Sequence, residues 1–185
     1  MKNNLLPARI LTAARRVLVR DGADRLTLAA VAAEAGVTVG GVRYHYANKR
    51  ALLEALVSDF VSAFDSVLAE AAGEPGARTR AYIDGTFATT PNDTGEGTAP
   101  TAGILAAIAV DTDLLQPLRA HYDRWQRLLD ADGLRPEVSM TIRLAMDGYW
   151  AAATLGLAAP DKDLSGDVQR YVIELLDREL GRADA

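Results

Sequence analysis

Apolar residues recur at helical spacing along nearly the whole chain. Leu11, Ala14, Val17 and Leu18 fall on one stripe, which predicts a first helix from Pro7, acceptable in a first turn, to the Asp21-Gly22 pair. Thr27 predicts the N-cap of a short second helix, LAAVAAEA, because its hydroxyl can accept a free backbone N–H; Gly36 suits the left-handed residue that closes it. Thr38 and Asn48 predict caps for a short third helix and a long fourth one. The fourth carries Leu52, Leu53, Leu56, Phe60, Phe64, Val67 and Leu68 along one side and breaks up at Gly73-Glu74-Pro75-Gly76. A fifth helix is expected over Ala77–Ala88, then a polar connection, TTPNDTGEGT, then helices over Pro100–Val110, Thr112–Asp130, Pro136–Leu157 and Leu164–Gly181. No alternating strand pattern and no internal repeat is present, so the expected fold class is all-α.

Charge is distributed unevenly. The 185 residues carry a net −5, yet residues 1–50 hold nine basic against three acidic residues, a net +6, and the rest a net −11. A basic head on an acidic body suits a protein that presents one end to a polyanion. With no cysteine, neither disulfides nor thiolate metal sites are possible, which fits a reducing cytoplasm. The start, MKNNLLPARI, lacks the apolar core of a signal peptide, and no apolar run is long enough for a membrane span. Cytoplasmic localisation, no membrane partner, no metal and no cofactor are therefore expected.

The stretch GVTVGGVRYHYANKR concentrates the chemistry of the head. Helix two, a short turn containing Gly36 and helix three have the form of a helix-turn-helix, whose second helix enters the major groove of double-stranded DNA. Gly40 and Gly41 remove side chains where a backbone must come close. Arg43 can fork onto a guanine or a phosphate; Tyr44 and His45 offer flat faces with hydrogen-bonding tips; Lys49 is a point charge for the DNA backbone. Thr27 and the free N–H groups that open helix two form an expected anion site. Val42 and Tyr46 are expected to pack inward, Arg50 to pair with Glu54 or remain solvated, and Ala29 and Ala30 are too short to read bases.

Residues from about Ile10 to Leu56 resemble the N-terminal DNA-binding domain of the TetR family of bacterial transcriptional regulators. The resembling run is LTLAAVAAEAGVTVGGVRYHYANKRALLEAL, anchored by Thr27, Ala35-Gly36-Val37, Gly40, Tyr44-His45-Tyr46 and Lys49. The resemblance implies a helix-turn-helix domain over residues 1–50 and a ligand-binding and dimerisation domain over 51–185. It implies DNA contacts at Thr27, Thr38, Val39, Gly40, Gly41, Arg43, Tyr44, His45 and Lys49. Arg43 departs from the tyrosine of many members, and Ala29 removes a base contact that others make with arginine. The family also implies a homodimer through the last two helices, on a roughly palindromic operator with half-sites about 34–36 Å apart. The stripes Val138, Ile142, Ala145, Tyr149 and Ala153, and Val168, Val172, Leu175 and Leu176, would serve such a dimer or pack within one subunit.

The body is expected to hold a small-molecule effector. Tyr82, Phe87, His121, Tyr122, Trp125, Met146, Asp147 and Trp150 are the candidate lining, with Tyr149 adding bulk and Asp84 a second carboxylate for a cation or hydroxyl. The reading is a repressor released by a small hydrophobic ligand. Alternatives are an activator, a ligand-independent regulator, or a helical bundle that merely sequesters a small molecule, though such a bundle has no use for a +6 head. Catalysis is not expected: two histidines, no cysteine, no HExxH and no GxSxG leave no constellation for it. Gly95 and Gly97 lack the lysine and preceding strand of a phosphate loop. Asp111-Thr112-Asp113 and Asp161-Lys162-Asp163 are best read as helix-capping charges.

Overall fold

The computed structural model describes residues 5–89 and 112–183. Among these the chain forms α1 (Leu5–Asp21), α2 (Leu28–Ala35), α3 (Val39–His45), α4 (Lys49–Glu70), α5 (Ala77–Thr89), α6 (Leu115–Asp130), α7 (Pro136–Leu155) and α8 (Lys162–Ala183), with a 3-10 turn at Thr112–Leu114 and no strand. The helix expected over Pro100–Val110 and most of the TTPNDTGEGT connection lie outside the described residues. Among the described residues no helix is long and apolar enough to cross a membrane. Two compact units divide the rest: residues 5–60 with 112–118, and residues 61–89 with 119–183.

The first unit is built on capping chemistry. Thr27 Oγ1 accepts from Ala30 N at 3.1 Å, Thr38 Oγ1 from Gly41 N at 3.1 Å and Asn48 Oδ1 from Ala51 N at 2.9 Å, so α2, α3 and α4 each start where a short polar side chain takes up an orphan donor. Gly36 ends α2 with φ 63°, a conformation that favours glycine. The core of this unit joins Ile10, Val17 and Leu18 of α1 to Val31 of α2, Val42 of α3 and Leu52 and Leu56 of α4, all buried. Val42 is the one fully buried side chain of α3, and Tyr46 packs half-buried beside the same core.

The second unit closes around α5. Ile83 and Tyr82 of α5, Trp125 and Leu129 of α6, Ile142 and Met146 of α7, and Val172 and Leu176 of α8 are buried. Gly85 of α5 packs closely in this unit: a Cβ there would stand 3.0 Å from the Phe64 ring of α4, so the ring would have to give way by a few tenths of an ångström. Asp161 caps α8 through a 2.9 Å bond from Leu164 N, the role read for it in the sequence. Of the apolar stripes that could serve a dimer or pack within one subunit, Ile142, Val172 and Leu176 are buried, whereas Leu175 is exposed, as are Leu144, Leu164 and Tyr171 beside them. Each helix carries two apolar stripes, and residue spacing alone does not say which one turns inward.

Candidate nucleic-acid interface and interior cluster

Burial of Val42 fixes how α3 presents the rest of its surface. On a helix advancing about 100° per residue, Gly40 and Tyr44 lie opposite Val42, and Arg43 lies on the flank shared with Val39. The exposures agree: Tyr44 is 86% exposed and Val39 44%, with Gly40 and Arg43 also exposed. His45 is half-buried, with its ring edge-on to Tyr44 at 5.1 Å. A Cβ built on Gly40 would meet nothing nearer than Thr38 Oγ1 at 3.9 Å, and on Gly41 the same atom at 3.4 Å. Neither glycine has positive φ. Nothing among the described residues therefore asks for glycine here, although each costs about 1 kcal/mol of helix stability against alanine.

The cations of this unit divide into held and free. Arg15 pairs with Asp59, Arg16 with Glu34 at 3.8 Å, Arg20 with Glu34 and Asp21 at 2.9 Å each, and Arg50 with Glu54 at 3.0 Å and Asp113 at 3.3 Å. Lys49 Nζ donates to the Ala23 carbonyl at 2.6 Å, pinning the turn before α2 to the start of α4 and leaving two of its three donors unused. Arg43 has no hydrogen bond or ion pair among the described residues. Thr27 and Thr38 are exposed and use their oxygens as acceptors in the caps, so each hydroxyl hydrogen remains available for a phosphate.

The second unit gathers five of the eight residues expected to line a ligand site. Phe64 of α4 lies 5.0 Å from both Tyr82 and Trp125, ring to ring; Tyr122 lies 4.9 Å and His121 6.2 Å from Trp125. Carboxylates stand at both edges of this aromatic block. Asp147 accepts from Tyr82 Oη at 2.5 Å and from Arg143 Nη1 at 2.7 Å. Arg143 also donates to Gln126 Oε1 at 2.5 Å and sits 5.7 Å over the Tyr122 ring. Asp65 of α4 accepts from Trp125 Nε1 at 2.5 Å and from Arg124, and lies 2.9 Å from His121 Nδ1. Met146 is buried on α7 and Trp150 half-buried one turn on. Phe87 stands apart from the block, stacked on Tyr149 at 4.3 Å, and Asp84 is exposed, accepting from Gln169 at 3.0 Å. Sequence reasoning missed Asp65, Gln126 and Arg143. The legible signal was Arg143 four residues before Asp147 on a largely apolar helix.

Burial pushes the Asp147 carboxyl above its ordinary value, against the hydrogen bond from Tyr82 and the charge of Arg143, which pull it down. Burial likewise raises Tyr82 and Tyr122, with the Asp147 charge adding to both. A folded-state pKa above the unfolded one stabilises the fold below the unfolded value, and that contribution is lost as pH rises through the folded value. Asp147→Asn removes this loss. The stability of the variant relative to the wild type should therefore increase between about pH 4 and pH 7. Thermal melts of both proteins across that range check this, and a difference that stays flat or shrinks contradicts it.

Two family profiles match the chain: "Bacterial regulatory proteins, tetR family" over residues 10–56 and "Tetracyclin repressor-like, C-terminal domain" over residues 76–177. No curated protein matches it significantly. Solved structures that share the fold include GusR of Salmonella enterica (TM-score 0.71, 16% identity, 96% of this chain and 98% of that one). A TetR-family regulator from a Rhodococcus species is similar too (TM-score 0.70, 19% identity, 94% and 98%). So is the multidrug binding protein EbrR in complex with malachite green (TM-score 0.65, 23% identity, 92% and 95%). With a helix-turn-helix at one end and more than half its length matched by the C-terminal profile, this chain belongs to the TetR family of bacterial transcriptional regulators.

Proposed function

We propose that the protein is a cytoplasmic homodimeric repressor that leaves a palindromic DNA operator when a small aromatic, cationic molecule enters the second unit. The observation that carries the DNA half is the outer face of α3. Two glycines that none of the described residues requires lie beside an exposed tyrosine and an arginine with no partner among the described residues. Val39, Gly40, Gly41, Arg43, Tyr44 and His45 present that face, and Thr27, Thr38 and Lys49 grip the phosphates on either side of it.

Support for a dimer comes from the exposed Leu144, Tyr171 and Leu175 on α7 and α8. A groove of about 340 Å³ also opens there, lined by Val138, Thr141, Ile142 and Leu175 and flanked by Arg135 and Glu179. Apolar surface of this kind on paired helices suits a two-fold four-helix contact.

The aromatic block and its carboxylates support the ligand class. Rings of Phe64, Tyr82, Tyr122 and Trp125 with Asp65 and Asp147 at the edges suit a flat cation, stabilised by the ring faces and by charge. Malachite green, the molecule held by EbrR, has that chemistry. Coupling runs through α4: Asp65, gripped by His121, Arg124 and Trp125, lies on the same helix as Lys49, about four turns away. A ligand that displaces these contacts shifts α4. A coupling of about 1–3 kcal/mol then weakens operator binding about 5- to 150-fold. Titrating an operator complex with malachite green tests this, with the combined fluorescence of Trp125 and Trp150 as an independent report of ligand binding. Fluorescence quenching that leaves operator affinity unchanged would sink the release mechanism.

A further inference from the structure

We infer that Arg43 reads a guanine base, so that each operator half-site carries a fixed G·C pair beneath it. The inference rests on the reading of α3 as the DNA-facing helix and adds the base and the residue that selects it. Arg15, Arg16, Arg20, Arg50 and Lys49 are all engaged within the chain; of the first unit's exposed arginines with no hydrogen bond or ion pair among the described residues, Arg9, Arg25 and Arg43, only Arg43 lies on α3.

Helix geometry then directs its reach. Long side chains on a helix lean back toward its N-terminus, over the residues three and four positions earlier. For Arg43 these are Gly40 and Val39. Gly40 leaves that surface bare, with only Thr38 Oγ1 within 4 Å of where a Cβ would stand. Val39 is 44% exposed and has no side-chain acceptor to detain a guanidinium. The path thus runs unobstructed toward the N-terminal half of α3, the end that a helix-turn-helix turns to the base edges. There the planar fork of arginine matches the N7 and O6 acceptors of guanine, a bidentate contact that no other base offers in the major groove.

The test is selection of operator sequences from random duplex DNA by the full-length wild type and by Arg43→Ala, followed by affinities for single base-pair variants of the selected site. Arg43 is exposed and unpartnered, so Arg43→Ala should melt with the wild type. The wild type is expected to select a palindrome with guanine fixed at one position per half-site. Changing that pair in one half-site should weaken its binding about 5- to 150-fold. Arg43→Ala should accept any base at that position while keeping the wild-type preferences elsewhere. An Arg43→Ala variant that keeps the guanine preference, binds every sequence more weakly by one factor and shows a shallower salt dependence holds a phosphate with this residue, which overturns the inference. A wild type that selects no sequence overturns the DNA reading itself.

Discussion

Gly40→Leu should leave the free protein at least as stable as the wild type and weaken operator binding about 100-fold, roughly tenfold for each of the two heads of the proposed dimer. The two halves of this expectation come from different physics. Within the chain, a side chain at position 40 extends into open space, with Thr38 Oγ1 at 3.9 Å as its nearest neighbour. Leucine is also the better helix former by about 0.8 kcal/mol. Against DNA, the same side chain stands opposite Val42 at the outermost point of α3 and holds the helix out of the groove, loosening the contacts of Arg43 and Tyr44 together. Gly85 provides the contrast. There a Cβ would stand 3.0 Å from Phe64, so a new side chain presses on a ring of the same chain rather than reaching open space. Thermal melting and equilibrium DNA binding on the same Gly40→Leu preparation separate the two effects. A lower melting temperature, or unchanged binding, contradicts the assignment of this face.

Asp132→Ala should destabilise the second unit by about 3 kcal/mol, or roughly 6–12 °C in melting temperature for a chain of this size. α5 begins at Ala77 after Gly76, which offers no side chain to cap it. Asp132, in the turn between α6 and α7, does so from a distance. Its carboxylate accepts from Thr79 N and Thr79 Oγ1 at 2.8 Å each and from Arg78 N at 3.2 Å, and its carbonyl accepts from Gly76 N at 2.7 Å. Asp132 is 4% exposed and Thr79 fully buried, so alanine would leave charge-assisted donors without water or partner. Asp132→Asn keeps one good acceptor and should fall between alanine and wild type. A loss under about 1 kcal/mol for Asp132→Ala would mean that α5 does not depend on this cap.

The local parts of the fold were legible because they rest on local chemistry. Thr27, Thr38, Asn48 and Asp161 cap helices through backbone groups three residues on, and Gly36 closes α2 in the left-handed conformation. The segment proposed to meet DNA stood out for a related reason: a double glycine beside an aromatic and basic block conflicts with what a packed helix wants. Asp132 could not be found in this way, because its partners lie more than fifty residues back along the chain. Asp65 sits on a helix where a charged residue reads as solvated, and only a tertiary contact turns it toward Trp125, whereas Arg143 was legible only through its local pairing with Asp147 four residues on. For the same reason the sequence does not decide whether Ile142, Val172 and Leu176 face their own subunit or a partner; all three are buried in the chain. Periodicity finds a stripe, while its orientation depends on what packs against it.

The most direct test of the account is fluorescence anisotropy of the wild type on its selected operator and on a scrambled duplex, repeated with Gly40→Leu across a salt series. The account predicts that the wild type prefers the operator by about 10³-fold or more, with affinity falling steeply as salt rises, and that Gly40→Leu loses most of that preference. Equal, weak binding of the wild type to both duplexes, or a Gly40→Leu variant that discriminates as well as the wild type, would contradict the claim that the bare face of α3 is the surface that meets DNA.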